Sequence, residues 1–253
     1  MRGRLYCGTS GFAYPGWMPR FYASGSRPRD LLPQYAARLT AVELNNTFYR
    51  QPSAEKVAAW LAATPDAFRF VVKAQRGGSF RSFADPEPGL PWLTGPYRAF
   101  GSRLGAVLFR LPDGARRDDA RLERFLAAWP ADLPLVVELR DDTWHVDETY
   151  RALEAAGASL CATELPEDPA PPTLRRTASR LYLRLRRHDY DTDALRDWLA
   201  RISPFLDAGD DAYVFFRHDE VGRGAELAVA LLALADGAAA AGTERGGPLL
   251  PSS

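Results

Sequence analysis

The chain has 253 residues, 46% of them apolar and 25% charged, with 32 basic and 32 acidic side chains and a formal net charge of zero. That length can bury one large core, and the balanced charge gives no global reason to expect nucleic acid or an anionic membrane as partner. No apolar run reaches the length of a membrane-spanning helix, and the start, "MRGRLYCGTSG", lacks an apolar segment of signal-peptide length, so a cytoplasmic location is expected.

Short strand-like runs alternate with helix-period runs along the whole chain. The first expected strand covers residues 4–11, followed by an aromatic stretch with Phe12, Tyr14, Trp17, Phe21 and Tyr22. Leu31, Leu32, Tyr35, Ala36 and Leu39 then share one helix face. A second strand is expected over 41–49 ("AVELNNTFY"), and Val57, Trp60 and Leu61 form a helix face behind an N-cap at Ser53. The third strand is 68–74. Residues 75–100 are rich in Gly and Pro and read as a long irregular connection. A fourth strand over 105–112 precedes a helix carrying Leu122, Phe125, Leu126 and Trp129. The fifth, 134–140, leads to a short helix with Tyr150 and Leu153. The sixth, 158–164, runs into a second irregular connection, 165–178, containing "PEDPAPPT". The seventh covers 180–186, with Leu195, Trp198, Leu199 and Ile202 on the next helix. The eighth is 212–218, and Leu227, Leu231, Leu232 and Leu234 mark the last helix. Beyond it, residues 237–253 read as a flexible tail of low complexity.

Eight strand–helix units imply an α/β fold with a parallel sheet and right-handed crossovers. The count predicts a single (β/α)8 TIM barrel over residues 1–236. An open doubly wound sheet usually carries a glycine-rich phosphate fingerprint after its first strand, and "CGTSGF" is not one.

Alternate side chains of a strand share a face. Val42, Leu44, Val72, Phe109, Val137, Leu139, Leu181, Leu183 and Leu185 suit the strand–helix interface. Glu43, Lys73, Glu138, Arg140 and Arg184 then point into the barrel, near the strand ends where active sites of this architecture sit. A structural ion network plugging the barrel competes with a ligand site. Burying several charges offers little net stability over apolar filling, which favours the ligand site. Basic groups outnumber acids there, so a small anionic guest is expected, phosphate, carboxylate or sulfate.

Glu43 and Glu138 are the candidate general acid/base groups, with Lys73 as a clamp or an imine-forming amine. Asn45, Thr47 and Tyr49 extend the second strand towards the rim as candidate substrate contacts. Thr9 and Ser10 offer hydroxyls after the first strand, and Tyr14 and Trp17 offer a cleft wall or a barrel plug. A metal between Glu138 and Glu164 lacks further ligands of known orientation, and His145, His188 and His218 have no zinc-ligand spacing. No metal is therefore assigned, and no cofactor is named. Cys7 and Cys161 read as buried free thiols. Of the 32 basic residues only Lys56 and Lys73 are lysine.

In order, "GTSGFAYPGW", "LLPQYAARLTAVELNNTFYRQPS", "FRFVVKA", "LGAVLFRLP", "LVVELRDDTW" and "LYLRLR" resemble the domain of unknown function 72 family, also called YecE-like. The resemblance runs from about residue 4 to 235 and implies a TIM barrel without an established activity. Its matching positions add Trp144 to the candidate contacts and include Gly8, Gly11 and Phe48. The chain departs from the family pattern where Arg110 replaces Gln, where Arg186-Arg187 replaces His-Gly, and where Arg217-His218 replaces Asn-Asn. Those departures imply a more cationic mouth than in the relatives, if they line it. An enzyme acting on an anionic or phosphorylated substrate is the leading expectation. A binding module for a metabolite or a nucleic-acid phosphate, and a Schiff-base lyase using Lys73, are the alternatives.

Overall fold

β-branched and aliphatic residues at alternating positions build eight strands: β1 (Leu5–Thr9), β2 (Ala41–Leu44), β3 (Arg69–Lys73), β4 (Leu104–Arg110), β5 (Leu135–Glu138), β6 (Ser159–Glu164), β7 (Arg180–Leu185) and β8 (Asp211–Phe216). The structure, a computed structural model, describes residues 1–244, with side chains as far as residue 238. Paired strands run parallel in the order β1-β8-β7-β6-β5-β4-β3-β2. The ring is completed between β1 and β2 by one parallel bridge, Ser10 to Glu43, where the Gly11 N–H donates to the Glu43 carbonyl at 2.8 Å. The chain is a single (β/α)8 barrel.

That last seam is narrow because of Gly8. A Cβ there would stand 1.9 Å from the Ala41 carbonyl oxygen and 2.6 Å from the Tyr35 hydroxyl. Gly8→Ala is expected to destabilise the barrel by about 1–3 kcal/mol through overpacking, seen as a lower urea midpoint.

The helices are α1 (Pro28–Ala36), α2 (Ala54–Ala62), α3 (Arg76–Ala84), α4 (Pro86–Thr94), α5 (Asp119–Ala128), α6 (Asp147–Ala155), α7 (Thr192–Asp207) and α8 (Arg223–Glu244). The expected cap of α2 forms, with the Ser53 hydroxyl accepting from the Lys56 N–H. Outward strand residues such as Val42, Val72, Phe109 and Val137 join Tyr35, Trp60, Phe125 and Ile202 of the helices in one apolar cluster. Inward residues Tyr6, Ala41, Val71, Leu108, Val136, Cys161, Tyr182, Tyr213 and Phe215 form a second. Tyr6 stacks on Tyr213 at 4.7 Å between ring centroids, so the barrel floor is packed with rings. Apolar filling below leaves the polar inward positions at the strands' C-terminal ends.

Residues 75–100 differ from the expected irregular connection, because they fold as the pair α3 and α4 followed by a 3-10 segment. Pro86 sits in the first turn of α4, where a missing N–H has no helical partner to lose. Gly78 is a contact residue: a Cβ on it would lie 2.7 Å from Trp92 and 2.8 Å from Leu93. The second strand also stops early, at Leu44, and Asn45–Phe48 turn into a 3-10 helix. Residues 165–178 carry no helix, so β6 is the one described strand without a helix behind it. α8 passes through the first part of the expected tail to Glu244, and residues 245–253 lie outside the described residues. Cys7 and Cys161 are free and buried, one in each apolar cluster. Among the described residues no helix is long and apolar enough to cross a membrane.

Candidate functional site

Two layers of polar side chains lie above the apolar floor. The lower layer is fully paired. Arg184, from β7, places its guanidinium between two carboxylates. It donates to Glu43 of β2 through Nε (3.1 Å) and Nη2 (2.9 Å), and to both oxygens of Glu138 of β5 through Nη1 (2.8 and 3.0 Å). Tyr182 and Ser10 hydroxyls each donate to Glu43 at 2.8 Å, and the Thr163 hydroxyl donates to Glu138 at 3.1 Å. Glu43 is 0% and Glu138 1% exposed.

Burial alone would raise the pKa of Glu43, but Arg184, Arg186 and Lys73 outweigh it and hold the carboxyl at about 2. Glu138 is likewise held below its usual range, with Arg184 and Arg110 overcoming burial. Both are therefore ionised at neutral pH and already hydrogen-bonded. A general acid needs a proton it can give, and neither carboxyl has one. Their geometry fixes Arg184 instead.

The upper layer is only partly paired. Among the described residues it lines an open cleft of about 680 Å³ whose walls carry Lys73, Arg110, Arg140, Arg186 and Arg217, with Arg184 reaching it from below, and no Asp or Glu. Arg186 donates to the Ser10 hydroxyl at 2.8 Å and sits 3.4 Å from Glu43. Arg110 is tied to Asp113. Among the described residues Arg140 makes no ion pair, and no carboxylate lies within 4.0 Å of Lys73 Nζ. The Lys73 ammonium stands 4.4 Å from the centre of the Phe48 ring. Burial, then repulsion from Arg184, brings its pKa down to about 8, against the pull of Glu43 and Glu138. His218, stacked on Tyr14 at 5.0 Å, has its pKa lowered by burial and then by Arg186 and Arg217.

Of the sequence candidates, Lys73, Arg140, Arg184, Asn45, Tyr14 and Tyr49 line the cleft. Tyr49 is 78% exposed at the rim. Asn45 donates to the Ser10 carbonyl at 3.1 Å, while its Oδ1 is buried without a partner. Ser10 supports the floor through Glu43 and Arg186. Four further candidates, Thr9, Thr47, Trp17 and Trp144, stand outside the cleft walls, with their donors engaged inside the fold. Thr9 donates to the Gly11 carbonyl, and Thr47 to the Lys73 carbonyl, each at 2.7 Å. The Trp17 and Trp144 indoles donate to the carbonyls of Asp219 (2.7 Å) and Ala115 (2.6 Å), and both rings are wholly buried. They peg loops to the barrel. Glu164, weighed with Glu138 as a metal pair, points outward instead. It accepts from Tyr190 and pairs with Arg187 at 3.1 Å. Among the described residues no three His, Cys, Asp or Glu side chains gather as a metal site.

A sequence profile for the family described as "Protein of unknown function DUF72" matches residues 6–248. The chain belongs to this family. The UPF0759 protein YunF of Bacillus subtilis is 22% identical over 271 residues, covering 92% of this chain and 95% of YunF. The crystal structure of the DUF72 family protein TM1631 from Thermotoga maritima superposes with a TM-score of 0.80 at 25% identity, over 92% of this chain and 99% of that one. EF0366 from Enterococcus faecalis, also a DUF72 protein, gives 0.77 at 20% identity, over 92% and 95%. In this DUF72 barrel Arg110, Arg186, Arg217 and His218, four departures from the pattern, all line the cleft. Arg187 does not, being turned towards Glu164. Residue alternation carries the signal for Arg186 and Arg217, since each lies two residues beyond an inward side chain of the same strand. Thr163 and Phe48 also belong to the cleft, Thr163 legible by the same alternation from inward Cys161 and Phe48 only as a position matching the family pattern.

Proposed function

We propose that this DUF72 protein is an enzyme that binds a small anionic substrate, bearing phosphate or carboxylate, at the barrel mouth and acts on it by acid–base chemistry. One observation carries the reading: six cationic side chains line one cleft with no carboxylate among its walls. Arg184 is the fixed clamp, preorganised from below by Glu43 and Glu138. Arg186, Arg110, Arg140 and Arg217 offer further donors suited to oxyanions. Proton exchange falls to Lys73 and His218, cleft groups with lowered pKa values that, unlike the arginines, can give up a proton near neutral pH.

Inorganic phosphate and sulfate are expected to raise the melting temperature of the protein, by mass action on the folded state. Arg140→Leu is the informative variant, since that side chain holds nothing else in place. Phosphate affinity is expected to fall about tenfold, with the fold's own stability changed by less than about 0.5 kcal/mol. Absence of any stabilisation by phosphate, sulfate or simple carboxylates would overturn the reading. Tight binding of short oligonucleotides with a steep salt dependence would transfer the cleft to a nucleic-acid phosphate.

A further inference from the structure

We propose that Lys73 is a nucleophile, its amine condensing with the carbonyl of an aldehyde or ketone that also carries the phosphate or carboxylate. The proposal rests on the anionic-substrate reading above and names the second functional group of that substrate.

The first reason is compositional. Thirty of the 32 basic residues are arginine. The five other cations of the cleft are all arginine, the better residue for holding an oxyanion. A clamp at the end of β3 would follow the same habit. What lysine has and arginine lacks is a proton it can release near neutral pH, and with it a lone pair. The other lysine, Lys56, lies on α2 near Trp60 and outside the cleft.

The second reason is placement. The Lys73 backbone is fastened by the Thr47 hydroxyl, which donates to its carbonyl at 2.7 Å. Lys73 is 8% exposed, faces the cleft, and among the described residues has no carboxylate within ion-pair distance. A structural lysine in a barrel would be paired. Beneath it the Arg184 charge is locked in place by two carboxylates, so the amine meets a fixed positive neighbour whatever its own protonation. A pKa of about 8 in place of 10.5 enlarges the neutral fraction at pH 7.5 on the order of 200-fold.

The step balances without an outside oxidant or reductant. The Nζ lone pair adds to the carbonyl carbon, and the C–O π pair moves to oxygen among the guanidinium groups. One proton passes from nitrogen to that oxygen, and a second reaches the resulting hydroxyl as the C–O bond breaks. Water leaves, and a protonated imine remains on Lys73. Two of the three hydrogens of the resting ammonium depart in the water, and the single positive charge is conserved. His218 at the same cleft is the group suited to carry the protons.

The test uses the full chain with pyridoxal 5′-phosphate and, separately, pyruvate, each with cyanoborohydride, read by intact mass and peptide mapping. A single reduced adduct is expected on Lys73, favoured at least about tenfold over Lys56 and, because the cleft's guanidinium groups hold the ligand's anion beside it, over the N-terminal amine as well. Inorganic phosphate should suppress it, and Lys73→Arg should abolish it while keeping the phosphate-induced rise in melting temperature. Label spread over Lys56 and the N-terminus as in the urea-unfolded chain would overturn the proposal. So would no Lys73 adduct in a protein that phosphate still stabilises, which leaves the anionic-substrate reading standing. Loss of phosphate stabilisation in the parent protein would sink that reading and this one with it.

Discussion

Arg184→Met should destabilise the protein by about 3–5 kcal/mol at pH 7, the loss expected when one partner is removed from a buried ion cluster. Among the described residues Arg184 alone bridges Glu43 and Glu138, with four hydrogen bonds to them. Without it two nearly inaccessible carboxylates face each other, each left with one arginine at its edge, Arg186 at 3.4 Å from Glu43 and Arg110 at 3.8 Å from Glu138. Urea unfolding monitored by tryptophan fluorescence reads the effect directly.

The pH dependence should then reverse. In the parent protein Glu43 is held at about 2 against an ordinary 4.5. Its folded-state pKa is depressed, so its contribution is present above pH 4.5 and is lost as pH falls towards 2. That difference corresponds to about 3 kcal/mol. In Arg184→Met, burial and mutual repulsion outweigh the remaining pull of Arg186, Lys73 and Arg110, so both carboxyls rise and stability should increase as pH falls through their new range. A variant replacing all three charges together (Glu43→Met, Glu138→Leu and Arg184→Met) should recover most of the loss, because apolar filling removes the desolvation penalty. Failure of the triple variant to recover would mean that the cluster does more than satisfy itself.

How much of this could be read beforehand depends on the range of the interaction that decides each residue. Val42 and Glu43 differ in kind at adjacent positions of one strand, so period-two alternation alone assigns their faces, and the structure agrees. The same rule places Lys73, Glu138 and Arg184 inside the barrel. It does not reach Thr47, beyond the end of β2, or Trp144, which entered through the family resemblance; their polar atoms are claimed by carbonyls remote in sequence, Lys73 and Ala115. Their resemblance to site residues is real at the level of motif, yet motif position cannot tell a loop peg from a ligand contact. The α3–α4 pair escaped for a related reason. Gly78 and Pro86 lower helix propensity taken singly, and only the approach of Trp92 and Leu93 turns the absence of a Cβ into an advantage. The division into a fully paired lower layer and a partly paired upper one was also invisible, because it depends on which carboxylates reach which guanidinium.

Lys73→Met is expected to act with the opposite sign, raising the unfolding free energy at pH 7 by about 1–2 kcal/mol. Lys73 has a folded-state pKa of about 8 rather than 10.5, so its charged form is disfavoured in the barrel. Burial is the largest cause. Arg184 and Arg110 repel it besides, and the attraction of Glu43 and Glu138 is already shared with Arg184. For a base with a depressed pKa, the penalty is present in full below pH 8. It is relieved as pH rises from 8 through 10.5, where the unfolded chain still holds the proton that the folded chain has released. The parent should therefore gain stability over that interval relative to Lys73→Met, and paired urea titrations at pH 7 and pH 10 measure the difference. A methionine of similar length would lie against the Phe48 ring that the ammonium now faces. If Lys73→Met were instead less stable than the parent at pH 7, the lysine would be a structural cation and its reactivity would lose its physical basis. A stabilised variant that has lost imine trapping would show the reverse: a charge kept where the fold is better off without it, which is what selection for chemistry leaves in a barrel mouth.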